Sequence, residues 1–150
     1  MLEVPLYKQE KENFCGLACL CMVFEFYGLY VDEKTLIEEI GLENNDYGIS
    51  PIELSELAST FGLVVRLEDN YTMDQLQENI YNETLVIVLI DPGVLDGDPW
   101  LYVAHFVVVT GGSSDTVYLN DPEKGKISMS KECFEACWKI CDRCAIVPVI

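Results

Sequence analysis

The sequence predicts an α+β fold in which a helical half packs on an antiparallel sheet. Three observations carry this. Helical periodicity and cap signals crowd the first eighty residues, continuous or alternating β-branched runs crowd the rest, and at 150 residues one domain is the expected size. Half the residues are hydrophobic, which is too many for a disordered chain.

Residues 1–12 read as a polar, extended lead-in containing Pro5. Asn13 can cap a helix over about 14–27, with Leu17, Leu20, Cys21, Phe24 and Tyr27 forming one buried face and Gly28 stopping it. Asp32 starts a second helix, closed after Ile40 by Gly41. Ser50-Pro51 with Glu53 has the pattern of a capping box with proline in the first turn, opening a third helix that ends near Phe61-Gly62. Leu63 to Leu67 reads as a short strand and 73–80 as a short helix. Leu85–Ile90 is a continuous apolar run, as a central strand requires. The turn-rich stretch 91–99 reads as a loop. Tyr102–Thr110 is a long strand ended by Gly111-Gly112, in a hairpin with Thr116–Asn120. A turn at Asp121-Pro122 and Lys124-Gly125 precedes a strand over 126–129. Ser130 caps a helix to about Ile140, and 145–150 is a last strand.

Composition narrows the function. Nine Lys and Arg against 26 Asp and Glu leave a net charge of −17, which argues against nucleic acid and weakly favours a neutral or cationic partner. Apolar runs such as Leu85–Ile90 fall far short of the roughly 20 residues of a membrane helix, and the first residues lack a signal-peptide pattern. Seven cysteines cannot all pair, so a reducing, cytoplasmic compartment is expected. Cys133, Cys137, Cys141 and Cys144 would share one stripe of a continuing helix. One straight helix cannot surround a tetrahedral zinc, so core packing is expected and no metal.

The chemistry is constrained by the single histidine, His105. Cys15 falls in the first turn of a predicted helix, where unpaired N–H groups and the helix dipole favour an anion, making it the best nucleophile of the seven thiols. Gly16 after it removes a side chain where a substrate would approach. A thiol needs a base within hydrogen-bond reach, and His105 alone can serve. A base needs an orienting partner, and the hairpin brings Asp121 near His105. An oxyanion needs donors, which the Cys15 N–H and the side-chain amide of Gln9 can supply.

Pro5-Leu-Tyr-Lys-Gln9, Asn13-Phe-Cys-Gly-Leu-Ala-Cys-Leu20, His105-Phe-Val-Val-Val-Thr110 and Asn120-Asp-Pro122 together resemble the bacteriocin-processing cysteine peptidases of papain-like fold. These cut leader peptides after a double glycine, often as the N-terminal domain of ABC transporters. Tyr47 to Leu54, on through Phe61-Gly62-Leu63, resembles their third helix, and Ser130, Phe134 and Trp138 their closing helix, so the likeness covers nearly the whole chain. It implies Cys15 as nucleophile, His105 as base and acid, Asp121 as its orienter and Gln9 in the oxyanion hole. It also implies a precursor-peptide substrate, no cofactor and compatibility with an attached ABC transporter. The stretch 91–104, with Trp100 and Tyr102 as candidate walls of a subsite, is longer than in the transporter-attached type and resembles stand-alone relatives. Three other readings stay open. They are a thiol amidase or acyltransferase with the same triad, a non-catalytic peptide-binding module, and a cysteine-rich metal protein.

Overall fold

The computed structural model describes residues 2–8, 14–41, 48–98 and 104–149. Asn13, Tyr47, Trp100 and Tyr102 lie outside them. In chain order the elements are α1 (Cys15–Phe26), α2 (Glu33–Ile40), α3 (Pro51–Thr60), β1 (Val65–Glu68), α4 (Met73–Tyr81), β2 (Val86–Ile90), a 3₁₀ turn (Pro92–Asp96), β3 (His105–Gly112), β4 (Thr116–Asp121), β5 (Gly125–Ser130), α5 (Lys131–Lys139) and β6 (Ala145–Pro148).

Local chemistry explains most boundaries. The Asp32 carboxylate accepts the Thr35 N–H at 2.8 Å, and Gly41 leaves α2 in the left-handed region at φ 70°. Ser50 and Glu53 complete a reciprocal capping box on α3. Thr72 and Gln75 form a second box on α4 that the sequence reading did not include. Ser130 caps α5 through the Cys133 N–H.

Other expectations change. The cap residue of α1 is Phe14, which makes no side-chain cap bond, so the helix starts at Cys15 rather than Phe14. Nor does α1 have one buried face. All ten residues from Cys15 to Phe24 are buried, as in a helix enclosed by its own core. The stretch 91–99 is not irregular throughout, because the Asp91 carboxylate caps a 3₁₀ turn at the Gly93 N–H. The strand at His105 does not stop at Thr110. It continues through Gly111-Gly112, which pair with Tyr118 and Val117 past a register shift. Pairing across the sheet overrides glycine's weak strand preference there. Finally, α5 ends at Lys139, so Cys141 and Cys144 sit in the following turn and the four-cysteine helical stripe does not exist.

The six strands form one antiparallel sheet in the order β1-β6-β2-β3-β4-β5. Each face carries a core. Leu85, Ile87, Phe106, Val108 and Ile146 pack beneath α1, α2 and α3. Val86, Val88, Val107, Val109, Ala145 and Val147 pack with Leu76 of α4 and Phe134, Cys137 and Trp138 of α5. Helices therefore cover both faces rather than one. The alternation of β3 between the two cores is what positions the site, because its first residues lie against α1 on one side and face β4 along the edge.

Candidate active site

Cys15 is the first residue of α1. Ala18 N–H bonds the Phe14 carbonyl at 3.1 Å, which fixes the helix start and points the leading N–H groups toward the thiol end. The helix start abuts β3. The backbone N–H of Phe106 donates to Cys15 Sγ at 3.5 Å. Gly16 allows this approach. A Cβ there would lie 2.9 Å from Ile49 Cγ2 and 3.1 Å from Phe106 Cδ2. The missing side chain thus makes room for packing against β3, not for an incoming substrate as the sequence suggested.

His105 opens β3 and Asp121 closes β4. Val108 pairs with Asn120, so continuing the register sets Asp121 across from Val107, diagonal to His105 and on the same side. The diagonal is bridged. His105 Nε2 lies 2.6 Å from Asp121 Oδ1, with both residues buried. Asp121 has no proton to give as a carboxylate, so Nε2–H is the donor. The same Oδ1 accepts the N–H groups of Glu123 at 2.8 Å and Lys124 at 3.2 Å, which bind the turn after β4 to the carboxylate. With Nε2 engaged, Nδ1 is left for the Cys15 side chain, whose proximity contributes to the raised pKa of the imidazole.

The electrostatics match this line of three. Burial alone would lower the His105 pKa. The hydrogen bonds to Asp121 and Cys15, and the charges of both, push harder and raise it from 6.5 to about 10. Burial alone would raise Asp121. The hydrogen bond and charge of His105, with the two backbone N–H groups, overcome it and hold the carboxyl below its ordinary value. Burial pushes Cys19 well up, Cys137 and Cys144 to about 11, and Cys141 to about 12. These are packing thiols, poor in thiolate at neutral pH.

The structure therefore brings Cys15, His105 and Asp121 together. Gln9 lies outside the described residues, and Lys8 is the last one before it. Two features escaped the sequence reading. One is the Phe106 N–H on the sulfur, which only the packing of α1 on β3 reveals. The other is Asn120, buried beside Asp121, whose Nδ2 donates to the Val4 carbonyl at 3.3 Å. The Asn-Asp pair was visible in the sequence, but only the aspartate had a chemical reason to be singled out. A cavity of about 330 Å³ opens one helical turn from the sulfur, between Tyr7 and Lys8 of the lead-in, Ala18 and Cys21 of α1, and Tyr30 and Asp32. Among the described residues, no group of three or more His, Cys, Asp or Glu is arranged to hold a metal. No helix among them is long and apolar enough to cross a membrane.

A buried Asp–His–Cys line at the meeting of a helix start and a sheet is the hallmark of a cysteine peptidase. The chain belongs to the peptidase C39 family, which it matches over residues 3–142. It is 26% identical over 133 residues to the sublancin-168-processing and transport ATP-binding protein SunT of Bacillus subtilis. That match covers 86% of this chain and 17% of the relative, so the chain spans about a sixth of the curated protein's length. The fold is similar to that of a C39-like peptidase from Bacillus anthracis, at a TM-score of 0.80 and 19% identity over 99% of this chain and 95% of that one. It is also similar to the double-glycine-motif protease of an AMS/PCAT transporter crystallised with a leader peptide. That comparison gives a TM-score of 0.68 and 23% identity over 98% and 93% of the two chains.

Proposed function

We propose that the chain is a single peptidase domain that removes the leader from a ribosomally made precursor peptide after a double glycine, by thiol chemistry. The observation that carries the proposal is the 2.6 Å bond between His105 and Asp121, with Cys15, the first residue of a helix, interacting with the same imidazole. Cys15 Sγ, as a thiolate paired with the His105 imidazolium, attacks the carbonyl carbon of the second glycine. The carbonyl oxygen becomes an oxyanion held by the Cys15 N–H and the Gln9 amide. His105 gives its proton to the leaving amine, the C–N bond breaks, and a thioester to the leader remains. Water attacks the thioester as His105 takes its proton, and the released thiolate restores the pair. Asp121 keeps Nε2–H as the outward donor, so that Nδ1 faces the sulfur throughout. The reaction needs no cofactor.

The cavity lined by Tyr7, Lys8, Ala18 and Cys21, on the helix that carries Cys15, offers space for side chains of the leader. SunT's processing role and the leader-bound relative support the substrate class, and SunT's transporter identity supports attachment to an ABC transporter on the cytoplasmic side. The test is cleavage of a panel of double-glycine precursors followed by mass spectrometry. Wild type should release leader and core. Cleavage that survives Cys15→Ala would remove the proposal.

A further inference from the structure

Phe106 is the second residue of β3, and the two sides of that strand differ at this point. Toward β2 it pairs with Leu89. On the other side β4 ends at Asp121, which the register sets across from Val107, and the chain turns back into β5. β3 thus runs two residues past the end of its neighbour, at His105 and Phe106. There the Phe106 N–H turns to the start of α1 and donates to Cys15 Sγ at 3.5 Å.

A buried strand N–H ordinarily goes to a carbonyl oxygen. Phe106 is 4% exposed, so water is a poor substitute for that oxygen. A thiol or thioester sulfur accepts a hydrogen bond only weakly. A thiolate carries charge, and hydrogen bonds to charged groups are roughly twice as strong as neutral ones. The Phe106 N–H is therefore well satisfied in one state of the sulfur, the anionic one. Burial of Cys15 sharpens that preference, because little solvent screens the charge.

The amide also differs from the imidazole in keeping its proton. His105 gives a proton to the leaving amine and then takes one from water. While it takes that proton, its Nδ1 lone pair is spent on the water. The backbone N–H stays beside the sulfur through both steps.

We infer that the Phe106 N–H is a catalytic donor that favours the departure of the sulfur from the thioester. This role rests on the peptidase reading and concerns its second half. The oxygen of water bonds to the thioester carbonyl carbon, and the proton of that water goes to His105. The oxyanion then re-forms the carbonyl as the C–S bond breaks. The electron pair of that bond stays on Cys15 Sγ, where the Phe106 N–H meets the charge as it forms. The products are the carboxylic acid of the leader, the thiolate and the imidazolium. In acylation the same hydrogen bond weakens as the sulfur spends its charge on the carbonyl carbon. A donor on the sulfur thus speeds release and not attack, whereas an oxyanion donor serves both.

The experiment replaces the Phe106 amide by an ester, with phenyllactic acid at position 106 of the full chain. The N–H is lost and the side chain is kept. Core release reports acylation and leader release reports deacylation, and both are followed by quenched-flow mass spectrometry of a double-glycine precursor. Leader release should slow about tenfold, the lower end of what a hydrogen bond to a charged group provides, and the leader thioester should accumulate. Core release in the first turnover should stay within about threefold. Equal slowing of both releases, or an unchanged leader release, would overturn the inference. If circular dichroism shows that the ester chain does not fold, Gly16→Ala carries the test. Its Cβ would lie 3.1 Å from Phe106 Cδ2 and crowd the helix start off the strand. It should speed amide hydrogen exchange at Phe106, with Val108 of the same strand unchanged, and slow leader release more than core release. Faster exchange at Phe106 with equal slowing of the two releases would overturn the inference, as would unchanged exchange there in Cys15→Ala, which lacks the sulfur. Cleavage surviving Cys15→Ala would instead defeat the peptidase reading itself.

Discussion

Replacing Asp121 separates orientation from charge, because a single oxygen carries the whole burden. Asp121 Oδ1 accepts from His105 Nε2 at 2.6 Å, Glu123 N at 2.8 Å and Lys124 N at 3.2 Å. In Asp121→Asn, three donors pointing at one place select the amide oxygen for it. The imidazole then keeps Nε2–H toward residue 121 and Nδ1 toward the sulfur. What is lost is the negative charge. Hydrogen bonds to charged partners contribute about 1.5–3 kcal/mol and neutral ones about 1, so the variant forfeits roughly 1–2 kcal/mol. At about 1.4 kcal/mol per decade, that is a fall in kcat/KM of roughly 5- to 30-fold. His105, held at about 10 in the wild type, should titrate lower. In Asp121→Ala the oxygen itself is missing, so the imidazole loses its bearing and two N–H groups lose their acceptor. The fall should then be on the order of a thousandfold. The assay is kcat/KM on a double-glycine peptide from pH 5 to 10. If Asp121→Asn is as damaging as Asp121→Ala, orientation through one shared oxygen is not what the residue provides.

Three further outcomes follow from the same geometry. His105→Gln should abolish turnover, since the chain has one histidine and nothing can stand in for it; residual cleavage of a tenth or more in a precursor assay would refute the mechanism. Gly16→Ala forces a Cβ to within 2.9 Å of Ile49 and 3.1 Å of Phe106, and should cost about 1–3 kcal/mol in a urea melt; an unchanged midpoint would mean that α1 and β3 are not tightly apposed. The His105 pKa is raised to about 10, so the folded chain holds a proton that the unfolded chain has released, and the associated stability is full below about pH 6.5 and fades as pH rises through about 10. The urea midpoint should thus fall more between pH 7 and 10 in wild type than in His105→Gln, and parallel curves would contradict the pairing. For Asp121, whose pKa is lowered, the contribution is present above its ordinary value and lost in acid.

The features legible in the sequence were those decided within a few residues. Asp32, Ser50 and Ser130 cap helices through their own side chains, and that chemistry needs no tertiary context. Cys15 was identifiable because a helix start is a local event, and His105 because it is the only imidazole. What was hidden depends on strangers in sequence. Gly111-Gly112 looked like a strand terminus but is held in the sheet by β4. Gly16 looked like an opening and proves to be a contact surface for β3, 90 residues away. The all-round burial of α1 was hard to read because apolar residues on every face blur the periodicity that marks a single buried stripe. Asn120 carried no chemical signal of its own until the carbonyl of Val4 came into view.

The division of the sheet into two cores has a consequence for how the enzyme fails. Cys15 and Phe106 belong to the layer of α1, and Val107 to the layer of α5, while His105 opens the strand that both layers share. The reactive pair joins the start of α1 to the start of β3, a strand that contributes to both cores. Hydrogen bonds of 2.6 to 3.5 Å leave little tolerance for slippage there. Catalysis is therefore an alignment gauge: mild denaturant or heat that lets α1 slide on β3 should silence the enzyme while its helices and strands are still intact.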